Sequence, residues 1–247
     1  MHQKKLILIA LIVFISIFFF FSSLLADENK EEFNKVVPLN AKGTFSLDNV
    51  NGAVTVTTWA EGKVEIKALK TTSKDAANLA KVKIEVESTP NAVTVKTVYP
   101  EHENTGVSVT YDVKVPEGVN LDKVSTVNGK LSITGPFGKV AAETVNGNVF
   151  VEKASGELSF ATTNGDIEAL SVKGSLKAET VNGSIKLQVN AFEEGIKAET
   201  VNGSISVDFP ITLQGLNKTK HTLEGKMGNG GPRISLDTVN GSIHLIK

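Results

Sequence analysis

An 18-residue repeat, built from two units of nine residues, limits this chain to a small number of folds. The tetrapeptide Thr-Val-Asn-Gly or a close variant recurs along the chain, and five successive copies are separated by 18, 18, 18 and 20 residues. Glycine marks both halves of the repeat, since it falls every nine residues from Gly129 to Gly183. The second and fourth residues after each of these glycines are apolar. Such regularity indicates that one short unit stacks on the next.

The alternation of apolar and polar residues within each unit predicts a β-strand with one buried face. Nine residues accommodate a strand of about five residues and a corner, and two such sides make one coil. A single coil buries too few apolar side chains to offset the entropy lost when 18 residues are ordered, so coils are stable only when stacked. We therefore predict an all-β fold, a β-solenoid or β-helix with two-sided coils of about 18 residues.

An antiparallel meander is the alternative to the solenoid. Asn-Gly between alternating apolar runs is a strong signal for a two-residue hairpin turn. However, the same residues recur at the same phase of each repeat, which favours coils stacked on identical coils. Only every second corner carries asparagine, whereas a meander would use the turn at each one.

The repeated asparagines predict a hydrogen-bonded ladder. Counting along the strand, Asn146 has the same inward parity as Ala142 and Thr144. An unpaired amide that faces inward costs roughly 2–7 kcal/mol, but amides stacked one coil apart can bond to each other. We expect the ladder to close one edge of the core. Its members are Asn128, Asn146, Asn164, Asn182, Asn202 and Asn240.

Two columns of side chains are predicted on the outer surface. Valine forms one of them, and this column is a candidate surface for a binding partner. Its alternative explanations are β-propensity or cover by another part of the chain. The column comprises Val127, Val145, Val181, Val201 and Val239, with Thr163 interrupting it. Acidic residues form the second column, and lysines two residues before Glu179 and Glu199 indicate charge pairing between coils.

The first 26 residues have the composition of a signal peptide. Two lysines precede an uncharged stretch from residue 6 to residue 25, and Ala26 is a plausible residue before the cleavage site. The alternative is an uncleaved membrane anchor, because 20 helical residues span roughly 30 Å. Either case predicts export to the periplasm, the cell surface or the medium.

The remaining chain, residues 37–247, is predicted to form the solenoid domain. Residues 69–115 lack the Asn-Gly unit and contain alternating segments around the turn Thr89-Pro90-Asn91. They are predicted to form a small antiparallel sheet, inserted after the first coil, that protects one end of the stack.

The composition excludes several function classes. The chain contains no cysteine, which excludes disulfides, thiolate zinc sites and cysteine nucleophiles. Lysine and arginine total 26 against 27 acidic residues, so no basic surplus favours nucleic acid. The nine-residue calcium repeat and the common catalytic motifs are absent. We therefore predict neither a cofactor nor a metal, and no catalytic residues.

The stretch VSVTYDVKVPEGVNLDKVSTVNGKLSITG, followed by repeated TVNGxI units, resembles the bacterial putative-adhesin domain of unknown function. The resemblance covers about residues 40–247. It implies a β-solenoid in an exported or membrane-anchored protein, and it supplies no catalytic or binding residues.

Together these observations predict an exported, non-enzymatic structural or interaction module. Its partner would be a glycan, a protein or a component of the cell envelope, bound through the repetitive β faces. The first alternative is an envelope scaffold or sensor that works through self-association. In either case residues 6–25 are a possible membrane anchor. The second is a carbohydrate-active enzyme, because β-helices also host polysaccharide lyases and hydrolases.

Overall fold

The computed structural model describes residues 29–188, 195–208, 213–219, 221–227 and 234–247, and strands dominate these residues. The predicted signal segment, residues 1–26, lies outside them. The strands are β1 (Lys30–Pro38), β2 (Thr44–Asp48), β3 (Val54–Trp59), β4 (Lys63–Thr72), β5 (Lys83–Thr89), β6 (Ala92–Val98), β7 (Val107–Pro116), β8 (Asn120–Asn128), β9 (Leu131–Thr134), β10 (Lys139–Asn146), β11 (Val149–Glu152), β12 (Ser155–Asn164), β13 (Ile167–Leu170), β14 (Lys173–Asn182), β15 (Ile185–Gln188), β16 (Gly195–Asn202), β17 (Ile205–Val207), β18 (Leu213–Lys218), β19 (Thr222–Met227), β20 (Ile234–Asn240) and β21 (Ile243–Ile246). A short 3-10 helix spans Ala76–Lys81.

Each coil of the stack contributes one strand to each of two sheets. Sheet 1 has the order β1-β4-β7-β3-β9-β11-β13-β15-β21-β17, and sheet 2 has the order β18-β19-β16-β20-β14-β12-β10-β8-β2-β6-β5. Neighbouring coils pair in parallel at an offset of one repeat, so Val140 lies opposite Leu158 and Asn146 opposite Asn164. The predicted β-solenoid with two-sided coils is therefore confirmed.

The last coil of the chain is not the last coil of the stack. Strands β20 and β21 lie between the β14–β15 coil and the β16–β17 coil, paired in parallel on both sides. The packing of sheet 2 explains this position. Leu236 lies between Ala178 and Ala198, which would otherwise be adjacent small residues in the core. Large and small side chains then alternate along the stack, as Phe160 does with Ala178, and this fills the interior to normal density.

Residues 69–115, the predicted antiparallel insertion, lie at one end of the stack and divide their strands between the two sheets. The hairpin of β5 and β6 extends sheet 2 beyond β2, whereas β7 extends sheet 1 beyond β3. Strands β4 and β1 add to β7 in antiparallel order. At the other end, β19 and β18 add to β16 in sheet 2, also antiparallel.

A buried hydrogen bond between two hydroxyl groups joins the two sheets through the core at the insertion. The Tyr111 hydroxyl of β7 lies 2.6 Å from the Thr97 hydroxyl of β6, and both side chains are buried. Burial raises the pKa of Tyr111 to about 12, because the phenolate would lose its hydration.

We expect this tyrosine to make the fold sensitive to alkali. The unfolded chain loses the phenolic proton near pH 10.0, whereas the folded chain keeps it up to about pH 12. The free energy of unfolding should therefore be unaffected below pH 10.0 and fall by about 2–3 kcal/mol as the pH rises toward 12. Urea unfolding at a series of pH values measures this fall. Tyr111→Phe should flatten it, and an unchanged pH slope in the variant would contradict the assignment.

Candidate functional site

The repeated Thr-Val-Asn-Gly segment forms one corner of every coil. Its glycine permits the coils to approach, because a Cβ on Gly147 would lie 2.0 Å from the carbonyl oxygen of Gly129 in the neighbouring coil. A Cβ on Gly165 would meet Gly147 at the same distance. Any other residue would force the coils apart at this corner, so glycine is required by close approach.

The structure brings all six predicted asparagines into one ladder and adds Asn51 to it. Each Nδ2 donates to the Oδ1 of the next residue at 2.8 Å. In stack order the donors and acceptors run Asn202, Asn240, Asn182, Asn164, Asn146, Asn128 and Asn51. The six predicted side chains are exposed, not inward-facing as strand parity suggested. Strand pairing omits the valine before each asparagine, because the chain turns the corner there.

A second ladder, of threonines, lies just inside the first and was not predicted. Each threonine is buried, and its Oγ1 donates to a glycine carbonyl of the neighbouring coil at 2.8–3.2 Å. The members are Thr126, Thr144, Thr162, Thr180, Thr238 and Thr200. The recurrence of threonine at inward parity in these repeats was the signal that could have revealed it. The same corner is thus held by a buried bond and an exposed bond.

The predicted valine column lies on the outer face of sheet 2, beside the asparagine ladder. Its five members are 38–63% exposed, and Val201 at the end of the stack is the most exposed. Thr163 interrupts the column and is also exposed. The described residues therefore leave this column uncovered. Cover by another described segment does not explain why valine recurs there.

The acidic column runs parallel to the valines on the same face. The position of the last coil places Asp237 between Glu179 and Glu199, so three carboxylates occupy consecutive coils. Lys177 binds Glu179 at 2.9 Å and Lys197 binds Glu199 at 3.0 Å. These ion pairs lie within single strands, so the expected pairing between coils was wrong for these lysines.

The carboxylates raise the pKa of both lysines. The main cause is the hydrogen bond that Lys177 donates to Glu179 and, for Lys197, the one that it donates to Glu199. The charge of Asp237 adds to both effects. Asp237 itself accepts a hydrogen bond from the Ser235 hydroxyl at 3.1 Å and forms no ion pair with a described residue.

The two columns line a pair of shallow grooves. The larger groove, of about 620 Å³, contains Val181, Val239 and Val201 and ends at His221. The smaller groove, of about 300 Å³, contains Val127 and Val145. Both grooves include Ala161 and Thr162, so they form one concave strip along sheet 2. We call this strip the valine–acid groove.

The groove presents apolar side chains and carboxylates, with His221 at one end. Within the described part of the chain, no three His, Cys, Asp or Glu residues are arranged to hold a metal ion. The described His244 bonds to the Ser206 hydroxyl at 2.8 Å on sheet 1, away from the groove. No helix among the described residues is long and apolar enough to cross a membrane.

We expect the asparagine ladder to contribute measurably to stability. Asn164→Ala removes two side-chain hydrogen bonds, whereas Asn202→Ala removes one. Since each bond contributes about 0.5–1.5 kcal/mol, the first variant should lose about 1–3 kcal/mol and the second about half as much. Urea unfolding monitored by circular dichroism measures both losses. Equal losses of stability in the two variants would contradict the prediction that each ladder hydrogen bond contributes separately.

Comparison with protein families identifies one match that spans nearly the whole chain. The model of the Toastrack DUF4097 family matches residues 14–245. No curated protein matches the sequence.

Several solved structures are similar to the chain at low sequence identity. A putative cell adhesion protein from Clostridium sporogenes is 14% identical, with 88% of this chain and 99% of that chain covered and a TM-score of 0.47. A putative adhesin from Bacteroides fragilis is 12% identical, with 87% and 97% covered and a TM-score of 0.42. A putative lipid binding protein from Parabacteroides distasonis is 13% identical, with 90% and 98% covered and a TM-score of 0.43.

Proposed function

This chain belongs to the Toastrack DUF4097 family, and we propose that it is an exported, non-enzymatic interaction module that binds its partner through the valine–acid groove. The observation that carries the proposal is the exposed valine column. Aliphatic side chains repeated along one face form an apolar stripe, interrupted here only by Thr163 among the repeats from Val127 to Val239, and exposed apolar patches of this kind mark interaction sites in soluble proteins. The stripe continues over most of the coils, so its length suits an extended partner.

The other residues of the groove support recognition rather than catalysis. Glu179 and Glu199 are each paired with a lysine of their own strand, so the groove presents oriented ion pairs beside the valines. The buried threonines beneath them fix the backbone of each corner, so the groove is preorganised. A glycan, a protein or an envelope component would meet the same arrangement of apolar and acidic groups.

Export is proposed from the amino-terminal segment. Two lysines, an uncharged stretch from residue 6 to residue 25 and Ala26 have the order of a signal peptide. Protease treatment of intact cells, followed by blotting for residues 27–247 and compared with lysed cells, tests the location. Cleavage on intact cells supports surface exposure, whereas protection until lysis supports an envelope scaffold or sensor. The size of the mature chain shows whether the segment is removed.

We expect charge in the valine column to weaken binding. The double variant Val145→Glu, Val181→Glu should bind at least about tenfold more weakly, because carboxylates must lose their hydration in an apolar contact. Binding is measured by co-sedimentation with purified cell-wall sacculi and by retention on immobilised polysaccharides and matrix proteins.

Val36→Glu is the matched control, because Val36 is 55% exposed but belongs to β1 in sheet 1. The control should bind like the natural chain. If the double variant also binds normally, or if the control loses binding equally, the valine–acid groove is not the contact surface.

Two further assays distinguish the alternatives. Light scattering over a range of concentrations tests whether the chain is a self-associating scaffold. Self-association through the valine column would produce oligomers that Val145→Glu dissociates. Incubation with polysaccharides tests whether the chain is a carbohydrate-active enzyme. The release of reducing ends or unsaturated products by the natural chain would contradict a non-enzymatic role.

A further inference from the structure

The asparagine ladder has one end that differs chemically from its other members. Asn202 donates through Nδ2 to Asn240 at 2.8 Å, but its Oδ1 accepts no hydrogen bond from a described residue. Interior members such as Asn164 both donate and accept. Asn51, at the opposite end, accepts from Asn128.

The backbone of Gly203, which follows Asn202, also differs from the backbone of the glycines at the other corners. At six of the seven corners described here, the glycine N–H donates to the carbonyl of the ladder asparagine in the adjacent coil, at 2.9–3.2 Å. These glycines are Gly52, Gly129, Gly147, Gly165, Gly183 and Gly241. Gly203 has no adjacent coil beyond it, and its N–H makes no hydrogen bond with the described part of the chain.

We propose that Asn202–Gly203 is a site of spontaneous deamidation in the folded protein, and that the six other Asn-Gly corners are protected by the stack. In this reaction a base removes the amide proton of glycine. The glycine nitrogen then forms a bond to Cγ of the preceding asparagine, and the bond from Cγ to Nδ2 breaks with release of ammonia. Water opens the resulting succinimide to aspartate or isoaspartate.

Stacking opposes the first two steps of this reaction, removal of the glycine proton and attack on Cγ, at the protected corners. The glycine N–H cannot be removed while it donates to the neighbouring coil, as Gly165 does to Asn182 at 3.0 Å. At the interior corners the asparagine amide cannot rotate toward the glycine nitrogen without breaking its bonds to both neighbours, as for Asn164. Reaction there requires local opening of the stack, which is rare in the interior of a repeat structure.

The end corner lacks these restraints. Strand β19 covers β16 only as far as Thr200, whose N–H donates to the His221 carbonyl at 3.0 Å. Among the described residues, the corner of Asn202 and Gly203 lies beyond this cover. The reaction there must break only the side-chain bond to Asn240 and the 3.2 Å bond from the Gly241 N–H to the Asn202 carbonyl.

The product would weaken the end of the ladder. A carboxylate at position 202 cannot donate to the Asn240 Oδ1, so two acceptors would face each other. Asn240 cannot turn its amide to compensate, because its Nδ2 already donates to Asn182. Deamidation therefore adds one negative charge and loosens the terminal coil, while the interior of the ladder remains intact.

Isotope-labelled peptide mapping tests the proposal. The purified chain is incubated in mildly alkaline buffer made with heavy-oxygen water, then digested with trypsin in ordinary water. Only residues that reacted during the incubation carry heavy oxygen. Asn182 and Asn202 fall in different tryptic peptides, 178–186 and 198–218, and fragment spectra identify the modified residue.

We expect Asn202 to react at least about tenfold faster than Asn146, Asn164 or Asn182 in the folded chain. In the chain unfolded by urea, all four should react at similar rates, which shows that the fold causes the difference. Asn202→Ser should remove the product at that position and leave the other rates unchanged. Equal rates in the folded chain, or no reaction at Asn202 under conditions that modify the unfolded chain, would overturn the proposal.

Discussion

The parallel, in-register pairing of each coil with the next is the interaction on which the rest of this structure depends. It places identical residues above one another, so one favourable contact is repeated at every level of the stack. The glycine at the corner makes this pairing possible, because any side chain there would collide with the neighbouring carbonyl. The threonine and asparagine ladders follow from the same superposition and connect neighbouring coils through side-chain hydrogen bonds.

The same superposition creates the surface that we propose to be functional. A valine that is exposed in one coil is exposed in the next, so single residues become a stripe. A column of acidic residues arises beside it for the same reason. The repeat is broken at Ala161, where a small residue replaces the glutamate of the acidic column and lines both parts of the valine–acid groove.

Much of this architecture was predictable because the repeat is so regular. The strands, the two-sided coils and six members of the asparagine ladder follow from a period of nine and an alternation of two, whereas the order of the last two ladder members and the addition of Asn51 do not. The threonine ladder was not predicted, although threonine recurs at inward parity in these repeats. The exposure of the asparagines was also missed, since parity counting assumes a straight strand and the chain turns at the preceding valine.

The sequence by itself determined the unit: a strand, a glycine corner and a residue pattern that is stable only when stacked. Only the tertiary structure decided the order of the units. Because the final repeat is nearly identical to its predecessors, it can pair with any of them, and local pattern does not select its place. Packing selects it, since Leu236 fills the space between Ala178 and Ala198. That choice also places Asp237 between two glutamates and leaves Asn202 at the end of the ladder.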